Sequence, residues 1–202
     1  MDCKKGCIVI IVGPSGVGKT TICKSIISKL DNFHFSVSCT TRLPRKNEAN
    51  EREYYFINPS DFKNYIYKNQ FIEHIESLTG DFYGTLKSEI IDKINSGINV
   101  LMEIEIKGTV NIHKLLDNDY NIKTIFILPD NIDELKKRLI NRRTEENIDI
   151  RLKIAESEID FIQRYLKNAK LKNKLHVLYN THQKVRDVAD KVLDIIGENS
   201  KK

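Results

Sequence analysis

No apolar run in this chain approaches the length of a membrane-spanning helix, so no membrane partner is expected. Nor does either sign of charge dominate. The 33 basic and 28 acidic residues leave a net charge of +5, a mild excess that suits a protein handling polyanionic small molecules. No nucleic-acid-binding motif accompanies it, and no nucleic acid partner is expected. The five histidines are scattered, with no ligand-like pairing. Four cysteines, Cys3, Cys7, Cys23 and Cys39, crowd the N-terminal end without C-x-x-C spacing. Free thiols in a reducing cytosol are expected from that pattern, and a cysteine metal site is not. The opening residues, Met1 to Gly6, lack a signal-peptide pattern, and a cytoplasmic location is expected. There is no internal repeat and no long linker. What remains is 202 residues, 40% hydrophobic and 30% charged. That is the make-up of a globular protein, with length for one domain and a small inserted lobe.

The most informative stretch is Cys7 to Ser25. Cys7 to Val12 is an unbroken apolar run, followed by Gly13-Pro-Ser-Gly-Val-Gly-Lys19-Thr20. This is G-x-x-x-x-G-K-[ST] between a buried strand and a helical pattern carried by Ile22, Ile26, Ile27 and Leu30. Gly13, Gly16 and Gly18 are expected to allow positive φ and to let phosphate oxygens approach backbone N–H groups. Those amides and the helix start form an anion cradle. Lys19 is expected to reach the outer phosphates and the Thr20 hydroxyl to ligate Mg²⁺. The loop points to a nucleoside triphosphate without naming the reaction.

Further along, Phe33–Val37 reads as a short strand, followed by a basic segment in which Arg42 and Arg45 flank Pro44. The paired guanidiniums suit a bidentate grip on phosphate. Asn58 to Asp61 caps a short helix bearing Phe62, Tyr65 and Ile66. Phe71 to Glu76 alternates as a half-exposed strand, and 80–85 reads as a turn. Residues 35 to about 90 therefore read as a small antiparallel lobe inserted into a parallel sheet. The sheet resumes at Ile98–Ile104, Ile122–Leu128 and Leu175–Tyr179, with helices between and after. That alternation predicts an α/β fold with helices on both faces of the sheet. Arg142 to Ile150 is nearly devoid of apolar residues and is expected to be exposed and mobile.

These motifs, in order, resemble guanylate kinase, a P-loop nucleoside monophosphate kinase family. The resemblance runs from Gly13 to Asn180 through G-P-S-G-V-G-K-T, S-C-T-T-R-L-P-R, E-Y-Y-F, F-I-E, Y-G-T, E-I-E-I-K-G and R-L-I-N-R-R-T. It implies Mg²⁺-dependent transfer from ATP to GMP, on a P-loop core (1–34, 97–137 and 152–202), a small mixed α/β GMP-binding lobe (35–96) and a lid (138–151). ATP is then expected at Gly13, Ser15, Gly16, Val17, Gly18, Lys19, Thr20, Thr21 and Asn180. GMP is expected at Ser38, Arg42, Arg45, Tyr54, Glu73, Tyr83, Thr85 and Glu105. Lys19, Arg42, Arg138, Arg142 and Arg151 are the implied catalytic set, with metal at Thr20 and, through water, Glu103. A monomer that closes over its substrates is expected.

On the residues alone, Glu73 reads as a solvent-facing strand position; for the lid arginines the plain alternative is a solvated helix face or salt bridges with Glu145, Glu146 and Asp149. The chain also departs from the family's usual Asp-x-Asp-x-Gln-Gly, having Glu103-Ile-Glu105-Ile-Lys107-Gly108. Its lid is about two residues shorter than in familiar members, in a loop where length varies readily, and no acidic residue follows Asn180-Thr181-His182. The other reading is a non-catalytic module of the same fold that captures phosphorylated peptides. Such modules tend to have degraded nucleotide loops, whereas Gly13, Gly18, Lys19 and Thr20 are all present here.

Overall fold

The computed structural model describes residues 5–77, 80–141, 148–168, 175–180 and 185–197. Its strands are β1 (Cys7–Val12), β2 (Phe33–Phe35), β3 (Cys39–Thr40), β4 (Tyr55–Phe56), β5 (Phe71–Glu76), β6 (Phe82–Leu86), β7 (Asn99–Glu103), β8 (Asn121–Pro129) and β9 (Leu175–Asn180). Its α-helices are α1 (Lys19–Ile27), α2 (Pro59–Tyr67), α3 (Lys93–Asn95), α4 (Ile106–Leu116), α5 (Ile132–Asn141), α6 (Ile148–Asn168) and α7 (Val185–Ile196), with a π-helical turn over Ser88–Asp92. Five strands make a central sheet in the order β2-β7-β1-β8-β9, in which β2 pairs β7 and β8 pairs β9 in parallel. A second sheet has the order β4-β3-β6-β5. This is the α/β architecture with helix-flanked strands that the alternating pattern predicted. Among the described residues no helix is long and apolar enough to cross a membrane.

The chain divides into two compact units. One comprises Val9–Asp31, Glu103–Ile106 and Ile122–Lys202. Val9 to Val12 are fully buried, which is why this strand reads as a continuous apolar run and not as an alternation. The helix that follows the glycine loop buries Ile22, Cys23 and Ile26 on one face, and α7 packs against it and against β9. Helical spacing thus delivers an apolar stripe to the strands and leaves the loop at the strand's C-terminal end.

The other unit comprises Met1–Ile8, Asn32–Met102 and Lys107–Asn121. It holds the second sheet, whose core is Cys39, Phe62 and Phe71, with Tyr55, Tyr65, Phe82 and Leu86 packed around them. Asn58 caps α2 by accepting from the Asp61 N–H at 2.8 Å, and Pro59 fills the first helical position, where no N–H is needed. Glu89, on the π-helical turn, accepts from the Val37 N–H at 3.2 Å and sits 2.7 Å from His34 Nε2. One carboxylate therefore ties the chain where it enters the lobe to the chain where it leaves.

Two expectations are corrected here. The lobe is not purely antiparallel, since β3 runs parallel to β4 while β6 is antiparallel to β3 and β5. The expected turn at 80–85 is largely the strand β6, because Phe82, Tyr83 and Thr85 favour the pleat. Gly84 is tolerated within it for a packing reason. A Cβ there would stand 3.0 Å from both the Phe62 and Phe71 rings. Phe62 is fully buried, with ring centroids 4.5 Å from Phe71 and 5.5 Å from Phe82. Phe62→Ala is expected to cost about 3–5 kcal/mol in urea unfolding, and a loss below about 1 kcal/mol would show that the lobe does not rest on this cluster.

Candidate functional site

Two groups of side chains have the chemistry of anion sites, one in each unit. In the unit built on β1, the glycine loop turns from strand to helix. Gly16 and Gly18 have φ of +86° and +103°, as expected, and Gly18 caps α1 in the left-handed region. Gly13 is a correction. It is not among the positive-φ glycines; it is small because a Cβ would overlap the Ile127 carbonyl on β8. Its contribution is close strand-to-loop approach.

Lys19 turns back on its own loop, its ammonium donating to the Gly13 carbonyl at 2.8 Å and the Pro14 carbonyl at 3.3 Å. The Thr20 hydroxyl donates to Glu103 Oε1 at 2.9 Å, while Thr21 is exposed. Asn180, at the end of β9, is 2% exposed, and its Nδ2 donates to the Val17 carbonyl at 2.6 Å. Its Oδ1 is buried without a hydrogen-bond partner among the described residues. Such an orphan acceptor costs roughly 1–3 kcal/mol unless a ligand donor meets it. Arg138 lies inside α5 and donates to the Val17 and Asn180 carbonyls at 3.3 and 3.2 Å. Arg151 is half-buried on α6, and Glu105 is exposed just after β7. Arg142 lies outside the described residues. The Ser15 N–H donates to Glu158 Oε2 at 3.2 Å. Burial raises the Glu158 carboxyl above its ordinary range, Lys19 opposing that rise and Glu105 adding to it.

In the other unit, Arg42 and Arg45 meet one acidic residue, Glu48, and Tyr54 and Tyr83 lie beside Arg42. Arg42 donates to both Glu48 oxygens at 3.0 and 3.1 Å, and Glu48 also accepts from the Arg45 N–H at 2.9 Å. The Arg45 guanidinium is 4.0 Å from Glu48 and more exposed. Arg42 lies over the Tyr54 and Phe56 rings at 5.5 and 5.8 Å, and Tyr54 meets Tyr83 edge-on at 5.8 Å. Burial pulls the Arg42 guanidinium down, but Glu48 and the Tyr83 phenol outweigh it and hold it above its ordinary value. A dianion offered to these donors would find a charged, partly dry surface.

Beside them runs a chain of oxygens. The Ser38 hydroxyl is 3.0 Å from the Thr85 hydroxyl, which donates to Glu73 Oε1 at 2.7 Å. Glu73 is 7% exposed, so its solvent-facing reading does not hold. The register shifts between the Phe71 and Glu73 pairs, and the irregularity buries Phe71, Ile72 and Glu73 in succession. Glu48, Phe56 and Glu158 were missed by the sequence reading. Glu48 stands three residues after Arg45, a spacing that can pair charges; Glu158 sits on a helix read for its apolar stripe alone. Among the described residues no three His, Cys, Asp or Glu side chains are grouped to hold a metal by themselves.

A family model described as guanylate kinase matches residues 5–184. The guanylate kinase of Clostridium acetobutylicum is 43% identical over 164 residues, covering 80% of this chain and 76% of that protein. The guanylate kinase of Clostridium tetani is 38% identical over 196 residues, 96% of this chain and 86% of its own. Among solved structures, the crystal structure of guanylate kinase from Anaplasma phagocytophilum aligns with 100% of this chain and 90% of its own. The TM-score is 0.76 at 27% identity.

Glu48→Gln removes the charge that Arg42 leans on while keeping the shape. Hydrogen bonds to charged groups contribute about 1.5–3 kcal/mol, and a stability loss of that order is expected in urea unfolding. An unchanged midpoint would show that the pair contributes nothing.

Proposed function

The chain belongs to the guanylate kinase family, and on that premise we propose how its residues divide the transfer of a phosphoryl group from ATP to GMP. The observation that carries the catalytic reading is the intact loop from Gly13 to Thr20 within a family match spanning nearly the whole chain. A phosphopeptide-binding module of the same fold has no need of Lys19 and Thr20.

ATP is held by the glycine loop, through Gly13, Ser15, Gly16, Val17, Gly18, Lys19, Thr20 and Thr21, with adenine against Asn180. The buried Asn180 Oδ1 supports this, since an amino group on the base supplies the donor it lacks. The GMP phosphate is held by Arg42, Arg45, Tyr54 and Tyr83; the two hydrogen bonds that the Arg42 guanidinium gives the Glu48 carboxylate support this reading. Guanine is read by Ser38, Glu73 and Thr85, with Glu105. Its N1–H and 2-amino group form a double donor edge suited to a buried carboxylate; adenine has neither. Rejection of adenine follows because Glu73 would be left without that donor edge, costing about 1–3 kcal/mol.

The transfer itself has little need of a general base. Charge spreads over the phosphoryl oxygens, so positioned cations supply most of the help. Lys19, Arg42, Arg138, Arg142 and Arg151 are those cations, and the last three bracket a lid at 138–151. The GMP-binding lobe is 35–96 and the core is 1–34, 97–137 and 152–202. Thr20 and, through water, Glu103, their oxygens 2.9 Å apart, would hold Mg²⁺. Bound there, the ion would neutralise charge on the β- and γ-phosphates. The working unit in this reading is a monomer. The cysteine pattern, without C-x-x-C spacing, supports a reducing, cytosolic setting.

The test is ADP formation with Mg²⁺ and ATP, offering GMP, dGMP, AMP and UMP in parallel. Turnover with GMP and little with AMP or UMP is expected; binding without turnover would favour the phosphopeptide module. Lys19→Ala is expected to lower kcat by about a hundredfold or more, the scale of losing one charge-stabilising donor. Near-normal turnover in that variant would sink the loop assignment. Glu73→Gln should erode the GMP-over-AMP preference by about tenfold, read as the ratio of kcat/KM values.

A further inference from the structure

The nucleotide loop already holds a negative charge of the protein's own. Glu158 Oε2 accepts from the Ser15 N–H at 3.2 Å, within the loop assigned above to ATP. Glu158 comes from the middle of α6, 143 residues further along the chain. Its carboxyl is largely withdrawn from solvent, and the nearest positive partner is Lys19. Lys19 meanwhile donates to the Gly13 and Pro14 carbonyls. The loop amides, the start of α1 and Lys19 form a positive field built for polyphosphate. Within the protein itself that field is answered by Glu158.

Two anions cannot share it at low cost. A triphosphate entering the loop would meet a carboxylate that occupies one donor and is only partly screened by water. Resting on the ATP reading above, we propose that Glu158 is an internal competitor of ATP, leaving the Ser15 amide when triphosphate arrives and returning when the loop empties. It thereby sets the affinity of the loop for its nucleotide and preserves the loop's shape between turnovers.

The placement of Glu158 on α6 adds a second element. Arg151 precedes it by seven residues, close to two full helical turns, so both project from one stripe of the helix. That stripe carries a cation favoured by phosphate and an anion displaced by it. Filling the loop pushes Glu158 and attracts Arg151, and one rigid helix feels both forces. Glu158 is a positioning residue on this account, because it acts through Ser15 and takes no part in the transfer.

The sign of the effect separates this from a structural role. A carboxylate that merely props the loop would, when neutralised, weaken ATP binding. A competitor would, when neutralised, strengthen it. The experiment is calorimetric titration of Mg-ATP, and separately of GMP, into the wild-type protein, Glu158→Gln and Glu158→Asp, with a melting temperature for each. Glu158→Gln is expected to bind ATP about tenfold more tightly, the worth of one charge-assisted hydrogen bond, with GMP affinity unchanged. Glu158→Asp keeps the charge but is one methylene too short to span the bond; it should tighten ATP binding by less and guards against a misfolded Gln variant. The steady-state KM for ATP should fall in the same order. Unchanged or weakened ATP binding in two folded variants overturns the proposal. Wild-type protein that binds GMP but no Mg-ATP overturns the ATP assignment beneath it as well.

Discussion

The hydrogen bond from Asn180 Nδ2 to the Val17 carbonyl, buried and 2.6 Å long, is the constraint on which the nucleotide loop depends. It joins residues 163 apart in sequence, the end of the last described strand to the middle of the glycine loop. Gly18 has its conformation and its lack of a side chain for the same reason, since a Cβ there would come within 2.8 Å of that nitrogen. Arg138 then bonds the carbonyls of both partners, closing a small ring of interactions across α5, β9 and the loop. With its amide nitrogen committed to the scaffold, Asn180 has only its oxygen to offer a ligand.

The unit that holds Glu48 uses the same economy. Glu48 organises Arg42 and the Arg45 amide, while Tyr54 and Phe56 support the guanidinium with their rings. The cation is thereby held in place without a ligand, so less side-chain entropy is lost when a phosphate binds. Thr85 works in a similar way, donating to Glu73 while lying against Ser38. The hydroxyl fixes which carboxylate oxygen is occupied by protein.

Local chemistry was legible in the sequence, and long-range chemistry was not. The loop, its helix and the arginine pair are contiguous, and their spacing alone carries their meaning. The function of Gly13 was misread because its constraint comes from Ile127, which is distant in sequence and adjacent in the sheet. Strand β6 was taken for a turn because Gly80 before it and Gly84 within it look like turn residues; only the rings of Phe62 and Phe71 explain the second. The burial of Glu73 was not legible in its alternation, because a register shift changes which side chains are buried. Glu158 could not be seen at all, since its partner is a backbone amide 143 positions away.

The clasp at Glu89 bears on how this lobe can change over generations. The segments around Val37 and Glu89 are held together by one carboxylate, with His34 on the same group. Everything between them is a closed excursion whose ends are already fixed. The entropy of closing such an excursion grows only with the logarithm of its length, by about 0.6 kcal/mol for each doubling. Insertions and deletions at its exposed tips, away from Glu48 and its partners, are therefore thermodynamically cheap. The lobe is free to drift in length while the sheet from which it departs stays the same.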